Sequence, residues 1–429
     1  MTQDNAPDAE QRRVPALVWV STTYFVQGLP YTIVNKVAPV LYKNLGVANA
    51  EITFWVSWLS MLWALKALWS PLVDTISTKR RWVLAMQGAM GPTVALAAFA
   101  LPTPYYFDAT LALLLVVSIL SATYDIAADG FYMLGLREAQ QSALVGVRST
   151  AWRAALVAGE SGLVMLAGTL GHRMGMDRAW AITLGIAAAV FAAATVLHVF
   201  TLPVPAEDRP RPRDQNVGAE FGKVFAAFFT KPGIVPAVLF LLFYRFAENL
   251  MLSLVAPFML DDVAKGGLGL TNEELGFAKG FLGVLALLTG GIVGGLAINR
   301  HGLKAWLWPM VAILHLPDAV FVYLSWVQPT SYPLICGLVA VEQFGYGFGF
   351  TAYMMFMMHF AAGEHKTAHY AIATGIMAMA VTLTSMWSGT LQEAIGYKWF
   401  FVVVIASTIP SALVAATVTI DPRFGRQAR

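Results

Sequence analysis

Two aspartates stand in the otherwise apolar run ATLALLLVVSILSATYDIAADGFYML, residues 109–134. Asp125 and Asp129 are four residues apart and therefore lie on one face of a helix. A carboxylate inside an apolar span is costly unless it faces protein or water. Desolvation also favours the protonated form of such a group. These residues, together with Glu248 and Glu342 in later apolar spans, are therefore our candidates for carrying protons.

The composition places these carboxylates in a polytopic membrane protein. The chain has 429 residues, of which 58% are hydrophobic and 12% charged, and its mean hydropathy is +0.63. Soluble domains carry roughly 25% charged residues. A net charge of +3 gives no indication of nucleic-acid binding, and no cofactor or metal site is expected.

Twelve apolar segments are long enough to span a bilayer as helices. We expect an all-α membrane protein with spans at 16–37, 52–73, 82–101, 108–134, 143–170, 178–201, 233–260, 275–298, 305–326, 332–360, 367–392 and 398–420. The longest polar connection follows the sixth span, and the segment after it has the phenylalanine spacing of an interfacial helix. The predicted domains are an N-terminal six-helix bundle at 1–202, a cytoplasmic linker at 203–231 and a C-terminal six-helix bundle at 232–429.

Short sequences recur in the two predicted halves. LGVANAEI at 45–52 returns as LGLTNEEL at 268–275, and VAP at 37–39 returns at 255–257. Two parallel six-helix halves resemble the major facilitator transporters, which hold substrate between the halves near the bilayer midplane. Lys and Arg are concentrated in the segments that share a side with the termini, so both termini are predicted to be cytoplasmic.

The remaining intramembrane charges indicate a wet central cavity. They are Lys36, Lys66, Arg148, Arg153, Arg245, Lys279, Asp125, Asp129, Glu160, Glu248, Asp318 and Glu342, which sum to zero. All but Asp318 lie on spans that would line the cavity or the boundary between halves in the major facilitator fold. Fixed ion pairs that fasten helices together are an alternative role, above all for Arg148, Glu160, Lys66 and Lys279.

Aromatic rings and hydrogen-bonding side chains on the same spans suit a sugar. Such rings stack on the apolar faces of saccharides, and amides bind their hydroxyls, although many rings in membrane helices only pack. The candidate substrate ligands are Gln27, Tyr31, Asn35, Lys66, Tyr124, Trp152, Arg153, Tyr244, Arg245, Asn249, Gln343 and Tyr346.

The loop after the second span, PLVDTISTKRR, resembles the loop signature of the major facilitators, and GLAINRHGLK repeats part of it in the second half. Its implied role is gating. The gating candidates are Asp74, Lys79, Arg80, Arg81, Arg148 and Arg300.

No P-loop or other motif of an ATP-driven pump or hydrolase occurs in the sequence. Transport would then depend on an ion gradient or on the gradient of the cargo itself. We expect a transporter and not an enzyme, a monomer in the bilayer whose partners are a small-molecule substrate and protons.

Three motifs carry a closer resemblance: QGLPYTIVNKVAP in the first span, KALWSPLVD leaving the second, and SATYDIAADGF in the fourth. Together they resemble AmpG-type muropeptide permeases of the peptide–acetyl-coenzyme A transporter family. The resemblance implies proton-coupled import of anhydromuropeptides across the bacterial inner membrane by alternating access. The resemblance implies roles shared with the family for the residues that fall in these motifs, which are Gly28, Pro30, Lys66, Trp69, Asp74, Asp125 and Asp129.

Two alternatives stay open at this point. Buried arginines also suit a carrier of acetyl-coenzyme A or another anionic small molecule. A non-transporting membrane sensor that binds a wall fragment is a possibility of a different class, although the sequence shows no large soluble signalling domain.

Overall fold

A computed structural model describes residues 15–136, 138–210, 217–363 and 365–426. The described residues are helical and contain no β-strand, which confirms the predicted all-α class. The helices are α1 (16–44), α2 (49–76), α3 (Lys79–Ala100), α4 (Tyr106–Gly135), α5 (138–174), α6 (Met176–Thr201), α7 (Val217–Phe229), α8 (Ile234–Leu260), α9 (Asn272–His301), α10 (Leu303–Val327), α11 (Tyr332–Ala361), α12 (366–395) and α13 (397–417).

Among the described residues, ten helical segments are long and apolar enough to cross a membrane. α1 and α2 are the other two of the twelve predicted spans. α7 is the segment predicted to be interfacial, and its Phe225 and Phe229 are exposed while Phe228 is buried against Phe360.

The last two spans are separated by a glycine with a backbone conformation that only glycine adopts easily. Gly396 has φ 74° and ψ 164°, close to the φ 88° and ψ 153° of Gly175 between α5 and α6. A side chain at either position would be strained because positive φ is unfavourable for other residues. The two glycines occupy matching places in the repeated halves.

Packing within the two halves also repeats. α1 packs on α5 and α3 packs on α4 and α6, while α8 packs on α12 and α10 packs on α11 and α13. We use "N-terminal half" for α1–α6 and "C-terminal half" for α8–α13. The domain boundaries at 202/203 and 231/232 stay a prediction.

The chain after α6 caps the start of α3. Asp208 accepts hydrogen bonds from the backbone N–H groups of Lys79 at 2.7 Å and Arg80 at 2.9 Å. The first N–H groups of a helix have no partner within the helix, so a carboxylate here supplies one and also suits the helix dipole. In the C-terminal half the Phe424 carbonyl accepts from Leu303 N–H at 3.0 Å in the equivalent place.

Replacing Asp208 by Ala is therefore expected to lower stability by about 0.5–2 kcal/mol, the usual cost of losing a helix cap. Thermal unfolding in detergent measures this effect. The neighbouring exposed residue gives the control, because Glu207→Ala removes a carboxylate that makes no cap. Equal stability of the Asp208→Ala variant and the wild type would contradict the capping role.

Candidate functional site

The two aspartates of α4 each meet a cation from a different helix. Asp125 pairs with Lys66 of α2 at 3.1 Å. Asp129 pairs with Arg148 of α5 at 2.8 Å and accepts a hydrogen bond from the Tyr24 hydroxyl of α1 at 3.0 Å. One face of α4 therefore holds two ion pairs that connect four helices.

The two pairs differ in their environment. Asp125 Oδ1 is buried and accepts no hydrogen bond of ordinary geometry among the described residues, although the Gln27 side chain is close enough to interact with this carboxylate. Oδ2 accepts a hydrogen bond from Lys66. The side chains of Asp129 and Arg148 are 38% and 35% exposed. An unsatisfied buried carboxylate oxygen is costly, and a proton on it would lower that cost.

Asp129 and the two cations of these ion pairs line a cavity of about 410 Å³ in the N-terminal half. Its lining is Tyr24, Gln27, Lys66, Asp129, Arg148, Ser149, Trp152 and Arg153. The guanidinium of Arg148 lies 4.4 Å from the centre of the Tyr24 ring, within the range of a cation–π contact. Four predicted substrate ligands, Gln27, Lys66, Trp152 and Arg153, therefore lie together. Ser149 was not predicted, since a lone serine in an apolar helix gives no signal.

Aromatic rings continue from this cavity toward the middle of the bundle. Tyr31 lies 5.4 Å from the Trp63 ring and 5.6 Å from the Trp152 ring, measured between ring centres. Asn35, one turn along α1, donates to the Tyr31 carbonyl and accepts from the Ser60 hydroxyl. Tyr31 and Asn35 were both predicted ligands, and both are only partly buried.

In the C-terminal half, α8 is interrupted at Tyr244 and Arg245. Arg245 leaves the helical region with φ −112° and ψ 22°. Its guanidinium binds both carboxylate oxygens of Glu248, at 3.1 and 3.2 Å, and donates to the Tyr346 hydroxyl at 2.8 Å. The side chains of Arg245 and Glu248 are 6% and 1% exposed. A bidentate pair with a further acceptor satisfies the geometry that a buried ion pair needs.

Glu342 differs from the other carboxylates of the C-terminal half. It is 2% exposed, and among the described residues it has no cation within ion-pair distance. The Gln343 amide donates to its Oε2 at 2.9 Å. The nearest charges include Asp318 and Glu248, which repel a second negative charge.

Asp318, for which the sequence offered no role, has a partner one turn away. His315 Nδ1 lies 3.5 Å from Asp318 Oδ2, and His315 Nε2 is 3.1 Å from the Tyr244 carbonyl. That carbonyl is near the interruption of α8. Asp318 therefore belongs to the same buried polar cluster as Arg245 and Glu248.

Three other predicted ligands are enclosed by helix packing. The hydroxyl of Tyr124 donates to the Thr23 carbonyl at 3.2 Å, and that of Tyr244 donates to the Gly349 carbonyl at 3.1 Å. Asn249 is 2% exposed, and its side-chain oxygen has no partner among the described residues. Their role as ligands stays a prediction.

The predicted gating residues lie at the end of the bundle where α1 begins and α13 ends, here called the tail end. Arg80 donates to the carbonyls of Val199 at 2.8 Å and Leu202 at 3.3 Å, so it is bound within its own half. Arg81 and Arg300 are exposed. The side chain of Asp74 lies outside the described part of the chain. The gating role of these residues stays a prediction.

The two halves are joined at the opposite end, where α1 ends and α2 begins, here called the far end. Lys43 pairs with Asp261 at 2.7 Å, and the Asn49 amide donates to Gln392 at 2.7 Å and to the Tyr397 hydroxyl at 2.8 Å. Further contacts between the halves join Asn44 to Asn272, Ala50 to Glu393, Thr53 to Gly389, His172 to Glu273 and Glu160 to Lys279. The cavity of Tyr24 and Arg148 lies on the tail-end side of these contacts.

Glycines let the backbones of the two halves approach closely at the far end. A Cβ atom at Gly389 would lie 2.3 Å from the Asn49 carbonyl oxygen, and one at Gly280 would lie 2.6 Å from the Glu160 backbone. The close atoms are backbone atoms of Asn49 and Glu160, which cannot move aside as the end of a flexible side chain could. The closed arrangement therefore depends on glycine at both positions.

Substituting Gly389 with Ala is expected to push the two halves apart at the far end. Spin labels at exposed Arg173 and Lys265, one in each half, would report this as a longer distance. The matched control is Gly375→Ala on the same helix, where an added Cβ meets no atom within 4 Å. Unchanged label distances in the Gly389→Ala variant would contradict the close approach.

The model of the Major Facilitator Superfamily matches residues 20–361, which is most of the chain. The chain belongs to the Major Facilitator Superfamily. It is thus a multi-pass membrane transporter for a small-molecule substrate, and not an enzyme.

Relatives within the superfamily bear out the resemblance to AmpG-type proteins. The chain is 23% identical over 407 residues to a protein named AmpG 4 from Rickettsia conorii, covering 91% of this chain and 93% of the relative. It is 23% identical over 410 residues to the anhydromuropeptide permease of Escherichia coli K12, covering 91% of this chain and 77% of that permease.

Solved structures of superfamily transporters share the fold. The nucleoside transporter NupG aligns with a TM-score of 0.70 at 13% identity, covering 94% of this chain and 100% of the NupG chain. The inward-open xylose transporter XylE of Escherichia coli aligns with a TM-score of 0.65 at 10% identity, covering 92% of this chain and 94% of the XylE chain.

Proposed function

We propose that this transporter imports muropeptides, or a related saccharide that contains an amino sugar, together with protons across the bacterial inner membrane. The observation that carries the proposal is the cavity of the N-terminal half, in which the Asp129 carboxylate and cationic side chains adjoin aromatic and hydrogen-bonding side chains. The relatives named AmpG 4 and anhydromuropeptide permease support the choice of cargo.

The aromatic part of the cavity suits a sugar. Trp152 and Tyr31 offer ring faces to the apolar surface of a pyranose, and Gln27 and Ser149 offer hydrogen bonds to its hydroxyl groups. Arg153 lines the cavity and has no carboxylate partner among the described residues, so it is available for an acidic group of the cargo. Four further predicted ligands, Asn35, Arg245, Gln343 and Tyr346, are proposed to extend this surface toward the C-terminal half.

Proton coupling rests on two carboxylates in different halves. Asp125 has one buried oxygen that accepts no hydrogen bond of ordinary geometry, and Glu342 has no cationic partner among the described residues. Asp125 is paired with Lys66 at 3.1 Å, as Asp129 and Glu248 are paired with arginines. Opening of these ion pairs would let the three carboxylates exchange a proton, whereas Glu342 forms no ion pair among the described residues.

The closed far end indicates which conformation the structure represents. If both termini are cytoplasmic, as the distribution of Lys and Arg predicts, the closed end faces the periplasm and the structure represents an inward-open state. A solved neighbour, the bacterial homologue of human Spinster, is described as inward-facing and unoccupied. Alternating access then requires the contacts of Lys43, Asn49 and Glu160 with the C-terminal half to break. We propose that a monomer suffices for this cycle.

Uptake by proteoliposomes tests this function. Labelled anhydromuropeptide, chitobiose and acetyl-coenzyme A are offered separately, with and without an inwardly directed proton gradient. We expect the gradient to stimulate uptake of an amino-sugar compound. Uptake of acetyl-coenzyme A alone would overturn the choice of cargo, and binding of a sugar without uptake would favour a sensor.

A further inference from the structure

Three π-helical segments occur in the described residues, and each carries one charged side chain. Ile33–Val37 of α1 holds Lys36, Ala158–Leu163 of α5 holds Glu160, and Gly276–Gly283 of α9 holds Lys279. π-helical turns are rare and occur frequently at functional sites. Two of the three segments belong to the N-terminal half and one to the C-terminal half, so the charges meet where the halves touch.

Glu160 and Lys279 form the ion pair that crosses between the halves. The Lys279 ammonium donates to Glu160 Oε1, and both side chains are largely buried. Gly280 brings the α9 backbone against the Glu160 carbonyl, and Gly159 brings α5 against Thr32 of α1. The three segments are therefore packed tightly around this pair.

Lys36 is the third charge and has no partner of its own. Its ammonium is within electrostatic range of Glu160, Lys279, Glu248 and Arg245. No described residue forms an ion pair or a hydrogen bond with it, whereas Lys66, Arg148, Arg245 and Lys279 each bind a carboxylate. An ammonium in a membrane-spanning helix is costly without a counter-charge.

The charged groups around Lys36 indicate which kind of partner this ammonium lacks. Glu160 pairs with Lys279 and Glu248 pairs with Arg245, so neither of the two carboxylates that act on Lys36 is left to pair with it. Lys36 is only half-buried, and it lies one residue beyond Asn35 on the helix that also carries Tyr31. An anionic group of a cargo held beside Tyr31 can therefore approach the Lys36 ammonium.

We propose that Lys36 binds a carboxylate of the cargo and makes the transporter selective for acidic sugars or glycopeptides. This inference rests on the proposed function and adds a residue that determines specificity. The carboxylate supplies a counter-charge to Lys36 next to the bridge between Glu160 and Lys279. Binding of an anionic cargo thus gives Lys36 a partner at the boundary between the halves.

The test compares one disaccharide in two charge states. GlcNAc–anhydroMurNAc carries one carboxylate, and its primary amide is neutral. Affinity of the detergent-purified full-length protein for each is measured by titration calorimetry, in the wild type and in the Lys36→Met and Lys265→Met variants. Lys265 is the control, because it is an exposed lysine that makes none of the contacts between the halves described above.

We expect the wild type and Lys265→Met to bind the acid at least about tenfold more tightly than the amide, as one charged contact supplies. Lys36→Met should bind both forms with the affinity of the amide. Equal binding of acid and amide by the wild type, or equal weakening of both in Lys36→Met, would overturn the proposal.

Binding of acetyl-coenzyme A is measured as a separate test that does not depend on the sugar. If neither disaccharide binds but acetyl-coenzyme A does, and Lys36→Met abolishes that binding, the anion site stands and the amino-sugar cargo is wrong. If Lys36→Met binds acetyl-coenzyme A as the wild type does, or if no anion binds, the assignment of Lys36 fails.

Discussion

Asp125→Asn is expected to reduce proton-driven uptake to the level of protein-free liposomes. The amide keeps the size of the side chain but cannot exchange a proton. It also removes the negative charge that Lys66 binds at 3.1 Å. Exchange of labelled for unlabelled cargo at equal pH should persist, because it needs binding and reorientation but no net proton movement. The two assays are run on the same proteoliposomes.

Asp108→Asn is the matched control for this substitution. Asp108 lies in the first turn of the same helix, at the far end, and is exposed. It should transport as the wild type does. Full gradient-driven uptake by Asp125→Asn would exclude Asp125 as the coupling residue and leave Glu342 as the stronger candidate.

The Arg245→Met variant is expected to lose about 3–5 kcal/mol of stability, the usual result of breaking a buried ion pair. The substitution leaves Glu248 charged, 1% exposed and without its bidentate partner. It also removes the donor to the Tyr346 hydroxyl. Thermal unfolding in detergent should show a clear drop, with Arg173→Met, an exposed arginine at the far end, as the control.

A second variant separates stability from transport. Arg245→Met combined with Glu248→Met removes both charges and should recover most of the lost stability, because apolar residues of similar size replace a buried pair at little cost. Transport should not recover if the pair also faces the cargo. A double variant as unstable as Arg245→Met would show that the loss of stability does not come from leaving Glu248 without its partner.

Much of the N-terminal site could be predicted from spacing alone. Asp125 and Asp129 share a face of α4 because they are four residues apart, and that face does meet cations. The sequence did not identify the partners of these aspartates, because Lys66 and Arg148 lie on other helices and meet α4 only in the folded protein. The pair of His315 and Asp318 could have been found from its i,i+3 spacing.

Irregular backbone explains most of what the sequence did not reveal. A π-helical turn adds one residue to a helix and leaves the apolar pattern almost unchanged, so the positions of Lys36, Glu160 and Lys279 could not be inferred. The interruption of α8 at Tyr244 and Arg245 contains no proline or glycine that would predict it. The close approach at Gly389 and Gly280 depends on which helix lies opposite, which only the packed structure specifies.

Proton-coupled import is tested most directly by measuring whether protons move together with the cargo. External pH is recorded with an impermeant dye as anhydromuropeptide is added to proteoliposomes that hold the wild-type protein. Proton-coupled import predicts that the external medium becomes more alkaline as the cargo enters, and that Asp125→Asn abolishes this change. Accumulation of labelled cargo with no change in external pH would contradict proton-coupled import.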